Sequence, residues 1–236
     1  MTSTTSTPAL PAWRRRSAAL VAITAAALLL PLLTSGHGAA TRAQAAGLPG
    51  FTYSVRTIDS TLATRMRFSW RPGCPVALRD LRYLRMTYLG FDGAAHRGEM
   101  VVHRTAVPKV VSVFRRVYDA RFPVYRMRLV DDYRGSDDAS MAANNTSAFN
   151  CRRTSGGTAW SQHSYGRAID VNPVQNPYFS GGVVEPPAGK PYATRSPLRK
   201  GMVTWTVRDA FADIGWYWGG QWRYSKDYQH FSSNNR

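Results

Sequence analysis

The sequence predicts an α+β fold, a small antiparallel sheet flanked by helices, from three observations. Two runs rich in aromatic and β-branched residues, 81–89 and 98–103, are broken by Gly90-Phe91-Asp92-Gly93 and read as a hairpin with a long loop. Two stretches with helical period begin near Pro108 and Val203. Between the helices, Ala168-Ile169-Asp170-Val171-Asn172 alternates as a short strand.

Taken in order, residues 51–55 form a short strand and Trp70-Arg71-Pro72-Gly73-Cys74-Pro75 a turn. Pro108 opens a helix whose Val110, Val113, Phe114, Val117 and Tyr118 make one apolar stripe, with Lys109, Arg115 and Arg116 off it. Phe122-Pro123 ends that helix, and 125–130 alternates as a strand. Residues 131–157 are polar and rich in Asn, Ser, Asp and Gly, a loop long enough to be functional. In the 168–172 strand, Ile169 and Val171 face one side, and Ala168, Asp170 and Asn172 the other. Prolines and glycines make 172–198 irregular. The helix over 203–214 carries Val207, Ala210, Phe211 and Ile214 on one stripe and is stopped by Gly215. The aromatic group Trp216, Trp218 and Trp222 then divides between core and cleft lining.

The chain has 236 residues, which fits one domain and a processed leader. Residues 1–45 have the form of a secretory signal: basic Arg14-Arg15-Arg16, an apolar run, then the small-x-small pattern Ala43-Gln44-Ala45. The Phe-Leu-Lys of a twin-arginine signal does not follow the arginines. The domain proper is then 46–236, exported to the cell wall or medium, with no stable membrane span after processing, because no later run reaches the ~18 apolar residues a bilayer requires.

The two cysteines, Cys74 and Cys151, are expected to form a disulfide in an exported chain. Zinc binding by them is disfavoured, since neither has a second cysteine or a histidine at ligand spacing. The formal net charge of +17 implies an anionic partner, and for an exported chain wall polymers bearing carboxylates and phosphates fit best. A GC-rich coding sequence is a second reading of the arginine excess. A nucleic-acid binder has the charge, but the chain has no binding motif and carries an export signal, so no nucleic acid is expected.

Chemistry concentrates at two places. Ser161-Gln162-His163-Ser164-Tyr165-Gly166-Arg167-Ala168-Ile169-Asp170 pairs a histidine with a carboxylate across a glycine turn, and Asp227-Tyr228-Gln229-His230 repeats that pairing. Two histidines and one carboxylate are a catalytic zinc set that leaves a position open for water, and a further carboxylate can serve as general base. Asp227 and His230 face opposite sides of a regular strand, so a shared site requires the backbone to turn or bulge there. His37 falls in the leader, and His96 and His103 lack a carboxylate at useful spacing.

The pattern Ser161-x-His163-x-x-Gly166-x-Ala168-x-Asp170, followed by Asp227-x-x-His230, resembles the zinc D-Ala-D-Ala carboxypeptidase and L-Ala-D-Glu endopeptidase family, which includes vancomycin-resistance dipeptidases and phage endolysins. The resemblance spans about residues 80–231 and implies the fold shared with the hedgehog signalling domain. It implies Zn2+ held by His163, Asp170 and His230, with Asp227 as base. Many carboxypeptidases of the family have Glu at the base position; Asp227 resembles the endopeptidase branch. The family also steadies the substrate carbonyl with an arginine upstream of the Ser-x-His motif. Arg152, beside Cys151, is favoured over Arg134 of the Tyr133-Arg134 pair; Ser161, with Arg134, is a substrate-binding candidate. The function expected is therefore a secreted zinc peptidase acting on peptidoglycan stem peptides as an endopeptidase and a monomer. The alternatives are a D-Ala-D-Ala carboxypeptidase and a non-catalytic zinc-bearing wall-binding module.

Overall fold

The structure, a computed structural model, describes residues 47–235. The leader, with its arginines, His37 and its cleavage pattern, lies outside the described residues. Among them no helix is long and apolar enough to cross a membrane.

Mixed helices and small, mostly antiparallel sheets make up the domain, in keeping with an α+β fold. Strand β1 (Tyr53–Thr57) leads into helix α1 (Ser60–Arg65), whose first turn is closed by Asp59 accepting from the Leu62 amide. Strands β2 (Leu81–Leu89) and β3 (Ala95–His103) follow, and the first sheet has the order β1-β2-β3, antiparallel throughout. The β2–β3 register pairs Leu89 with Ala95, so β3 begins earlier than its apolar run at 98–103 indicates and the connection is short. That connection corrects a second expectation: Asp92 and His96, four apart, meet at 2.9 Å across it in an exposed pair.

Helix α2 (Val107–Asp119) buries its apolar stripe of Val110, Val113, Phe114, Val117 and Tyr118, with Val111 beside it. Pro108 sits in the first turn, where its missing N–H costs nothing. The stripe packs on Leu84, Met86, Met100 and Val102 of the sheet and on Val207, Phe211 and Phe231 from the C-terminal third. A second core under the other side of the sheet joins Leu62, Met66, Leu81, Tyr83 and Val101 to Phe149 and Cys151. The expected disulfide is present, Cys74 to Cys151, with Cα atoms 5.9 Å apart.

Residues 125–130 are not a full strand. Only β4 (Arg126–Met127) pairs, in parallel, with β5 (Asn145–Thr146), and helix α3 (Asp137–Ala142) lies between them. Buried amides replace the missing ladder: the Tyr125 N–H donates to Asn172 Oδ1 and the Arg128 N–H to Asn145 Oδ1, each at 2.8 Å. The supposed loop over 131–157 is therefore partly regular, its helix started by Ser136, which accepts from the Ala139 amide.

Strand β6 (Ala168–Asp170) is followed by a hairpin within the region expected to be irregular, β7 (Tyr178–Ser180) and β8 (Val183–Glu185). Helix α4 (Trp205–Ala212) ends in a left-handed Gly215, as expected. Strands β9 (Tyr217–Trp218), β10 (Lys226–Asp227) and β11 (His230–Ser232) complete two further sheets, ordered β6-β11-β9 and β10-β7-β8.

Candidate metal centre and catalytic cleft

The site is built where the last two sheets meet the 161–166 turn. Ser161 caps a short 3-10 helix over Gln162–Tyr165, its hydroxyl accepting from the His163 amide at 3.3 Å. Gly166 ends that helix in left-handed conformation, φ 61°. Its carbonyl accepts from the His103 amide, and a Cβ there would lie 2.5 Å from the His103 nitrogen, so only glycine lets the turn lie this close to β3. The turn delivers the chain into β6 with Ala168 and Ile169 fully buried and Asp170 at its end.

Strand β11 pairs with β6 so that His230 lies directly across from Asp170. The two motifs, sixty residues apart, thus become a cross-strand pair, with His163 leaning in from the turn. His163 Nε2 is 3.2 Å from His230 Nδ1 and 3.1 Å from Asp170 Oδ2, while His230 Nδ1 is 3.0 Å from Asp170 Oδ1. All three side chains are buried, and their candidate ligand atoms lie within 4.8 Å of one another. His163 Nδ1 meets the Ala148 carbonyl at 2.6 Å, which fixes that nitrogen as the N–H and leaves Nε2 facing the cluster with its lone pair.

These donors suit zinc. Ligand bonds of about 2.0–2.1 Å in a tetrahedron place donor atoms about 3.3 Å apart, close to the spacing seen. Burial works against the charge of Asp170, but His163 and His230 outweigh it and hold this carboxylate well below its usual range.

Asp227 stands beside this cluster. Between Asp227 and His230 the chain leaves β10 in one sheet and enters β11 in another, which is the turn their three-residue spacing required. Gly219 makes room for it: a Cβ there would lie 2.7 Å from the Asp227 carbonyl oxygen and 2.9 Å from its Cβ. Asp227 Oδ1 is buried and has no hydrogen-bond partner. Burial pushes the carboxyl up to about 7, with Asp170 and Asp137 adding to the rise and the two histidines opposing it.

The cleft has a volume of about 970 Å³ and is lined by all four of these residues together with Arg152 and Ser161. Arg152 is held at both ends. Its backbone amide donates to Ser164 Oγ and its carbonyl accepts from that hydroxyl, at 2.9 and 2.7 Å, while its guanidinium pairs with Asp137 at 2.7 Å. Burial raises the Asp137 carboxyl and Arg152 opposes that rise. Arg134 is not brought into the cleft. It ends a 3-10 helix in left-handed conformation and its guanidinium lies over the ring of Phe68. Trp216 is core and Trp218 packs against it, whereas Trp222 lines the cleft with its ring 5.6 Å from His230.

Sequence reasoning missed Asp137, Tyr178 and Glu185, all in the cleft wall. Ser136-Asp137-Asp138 is a helix start, a cap followed by acidic residues, and that signal was available. The β7–β8 hairpin had none beyond weak alternation. Asn172, expected on the site face with Asp170, is instead a buried staple donating to the Pro123 and Gly201 carbonyls.

Residues 154–233 match the model of a peptidase family described as D-alanyl-D-alanine carboxypeptidase. The segment contains both motifs, and the resemblance drawn from them is shown by this match; Arg152 lies just before it and Asp137 well upstream. No curated protein and no solved structure matches the chain.

Proposed function

We propose that the chain is an exported, zinc-dependent peptidase that hydrolyses a bond within peptidoglycan stem peptides, as an endopeptidase. The observation that carries this reading is the buried His163–Asp170–His230 cluster with a partnerless carboxylate oxygen of Asp227 beside it, inside a segment that matches a peptidase family.

His163 through Nε2, His230 through Nδ1 and the Asp170 carboxylate would hold the metal. Zinc, when bound, lowers the pKa of its water towards ~7 and polarises the scissile carbonyl. Asp227 would take a proton from the attacking water at its buried, unpartnered oxygen and pass it to the leaving amine. Arg152 steadies the negative charge that develops on the carbonyl oxygen. It lines the cleft, Asp137 holds it, and its Nε is buried without a partner. Ser161 keeps the His163 turn closed and lines the cleft beside it.

Aspartate rather than glutamate as base, a cleft near the upper end of small-molecule pocket sizes and a net charge of +17, still +13 without Arg14, Arg15, Arg16 and Arg42 of the leader, favour a large anionic polymer over a free dipeptide. The partners in this reading are stem peptides and anionic wall polymers, met by a monomer. The test compares intact sacculi with a free peptide ending in D-Ala-D-Ala. Internal stem cleavage in sacculi supports the endopeptidase. Release of terminal D-alanine alone gives the case to the carboxypeptidase, and binding by zinc-loaded protein without cleavage of either substrate gives it to a wall-binding module.

A further inference from the structure

The sheet that carries Asp227 also carries a row of side chains along the cleft wall. In β10-β7-β8 the register sets Asp227 opposite Tyr178, and Tyr178 opposite Glu185. Successive strand residues point to opposite faces. The neighbouring row, Lys226, Phe179 and Val184, faces away, and Val184 is buried there. Asp227, Tyr178 and Glu185 all line the cleft. Strands lie about 4.8 Å apart, so Glu185 stands about 10 Å from Asp227 along the row.

The other cleft acids are mostly engaged. Asp170 meets the two histidines, Asp137 pairs with Arg152, and Asp227 is the base of the proposed reaction. Asp138 sits in the first turn of α3, where negative charge suits the helix end. Among the described residues no cation pairs with Glu185, in a chain of net charge +17 with many arginines to spare. A carboxylate left open at the end of a row that starts at the base is placed to read a positive charge on the bound peptide.

We propose that Glu185 is the specificity carboxylate of this cleft and binds the side-chain primary ammonium group of a peptide residue that stands second from the bond that is cut. An extended peptide advances about 3.3–3.6 Å per residue, so two residues cover about 7 Å and the side chain that carries the amine covers the rest of the row from Asp227 to Glu185. Tyr178 lies between them and supports the peptide backbone or an aliphatic side chain. The ligand class is a peptide carrying a diamino acid with its side-chain amine free. This inference rests on the peptidase reading of the same cleft.

The test uses the zinc-loaded mature chain and a stem tetrapeptide with lysine at its third position, its ε-amine free or acetylated. Two readouts are taken: kcat/KM for cleavage, and Kd from quenching of tryptophan fluorescence after rapid mixing. Wild type should favour the free amine by about tenfold or more in both. Glu185→Gln should erase the preference by weakening only the free-amine peptide, and Asp138→Asn should keep it. Equal Kd values for the two peptides in wild type, an equal loss on both peptides in Glu185→Gln, or loss of the preference in Asp138→Asn would overturn the assignment. If wild type cleaves neither peptide, the peptidase reading fails, and the Kd comparison still decides the role of Glu185.

Discussion

The Asp227 carboxyl is held in a state that costs stability, and the cost can be measured. Its rise from 3.8 to about 7 means that the fold favours the neutral form. At 1.36 kcal/mol per pKa unit the rise is worth about 4 kcal/mol. Below pH ~4 the carboxyl is protonated in both folded and unfolded chains and the cost is absent. Between pH ~4 and ~7 the unfolded chain ionises and the folded one does not, so the cost accumulates, and above 7 it is fully present. Asp227→Asn is neutral at every pH. In metal-free protein it should match wild type at pH 4 and exceed it by up to about 4 kcal/mol at pH 8, or roughly 8–16 °C in Tm for a domain of this size. Urea unfolding of both proteins in chelator at the two pH values measures it. A gap equal at both pH values, or wild type the more stable at pH 8, would refute the claim that burial disfavours the charged Asp227 carboxylate in the metal-free fold.

Three further outcomes are expected. His163→Ala and His230→Ala should each lose the close to one zinc per chain that the purified wild type should carry, which metal analysis reads directly; equal metal content in all three proteins would remove the site. Replacing Cys74 and Cys151 by alanine should cost about 4 kcal/mol in denaturant unfolding, since the bridge closes a loop of sequence separation 77, and should slow cleavage because Arg152 follows Cys151 in the chain. Asp137→Asn should lower kcat about tenfold with zinc content unchanged, because Arg152 loses the carboxylate that orients it; an unchanged kcat would detach Asp137 from the reaction.

The two motifs were legible because their chemistry is local in sequence. His163 and Asp170 flank one glycine turn, and Asp227 and His230 stand three apart, so each histidine shows a carboxylate in close company, while the roles expected of them came from the family resemblance. The pairing of Asp170 with His230 across β6 and β11 was open to the family resemblance but not to periodicity. The long strands and the amphipathic α2 were legible for the reason that makes them stable, an apolar stripe with a regular period. What failed was the polar middle. Residues 125–130 alternate like a strand, yet Asn145 and Asn172 take their backbone amides, and nothing in alternation distinguishes a strand neighbour from a buried asparagine. Asn145 also helped 131–157 look like open loop, when it is a staple in a folded segment, donating to the Arg128 carbonyl and to Ser140 Oγ. Glu185 was invisible because its meaning lies in a cross-strand register with Asp227 that no local pattern records.

In the proposed reaction, cleavage requires a zinc ion held by His163, Asp170 and His230. The most direct measurement is a zinc titration of metal-stripped mature protein, following the release of new amino groups from intact sacculi. Cleavage should be absent in the stripped protein, rise with added zinc, and level off at one zinc per chain. Full activity in the stripped protein, or one tightly held zinc per chain with no cleavage at any concentration, would contradict it.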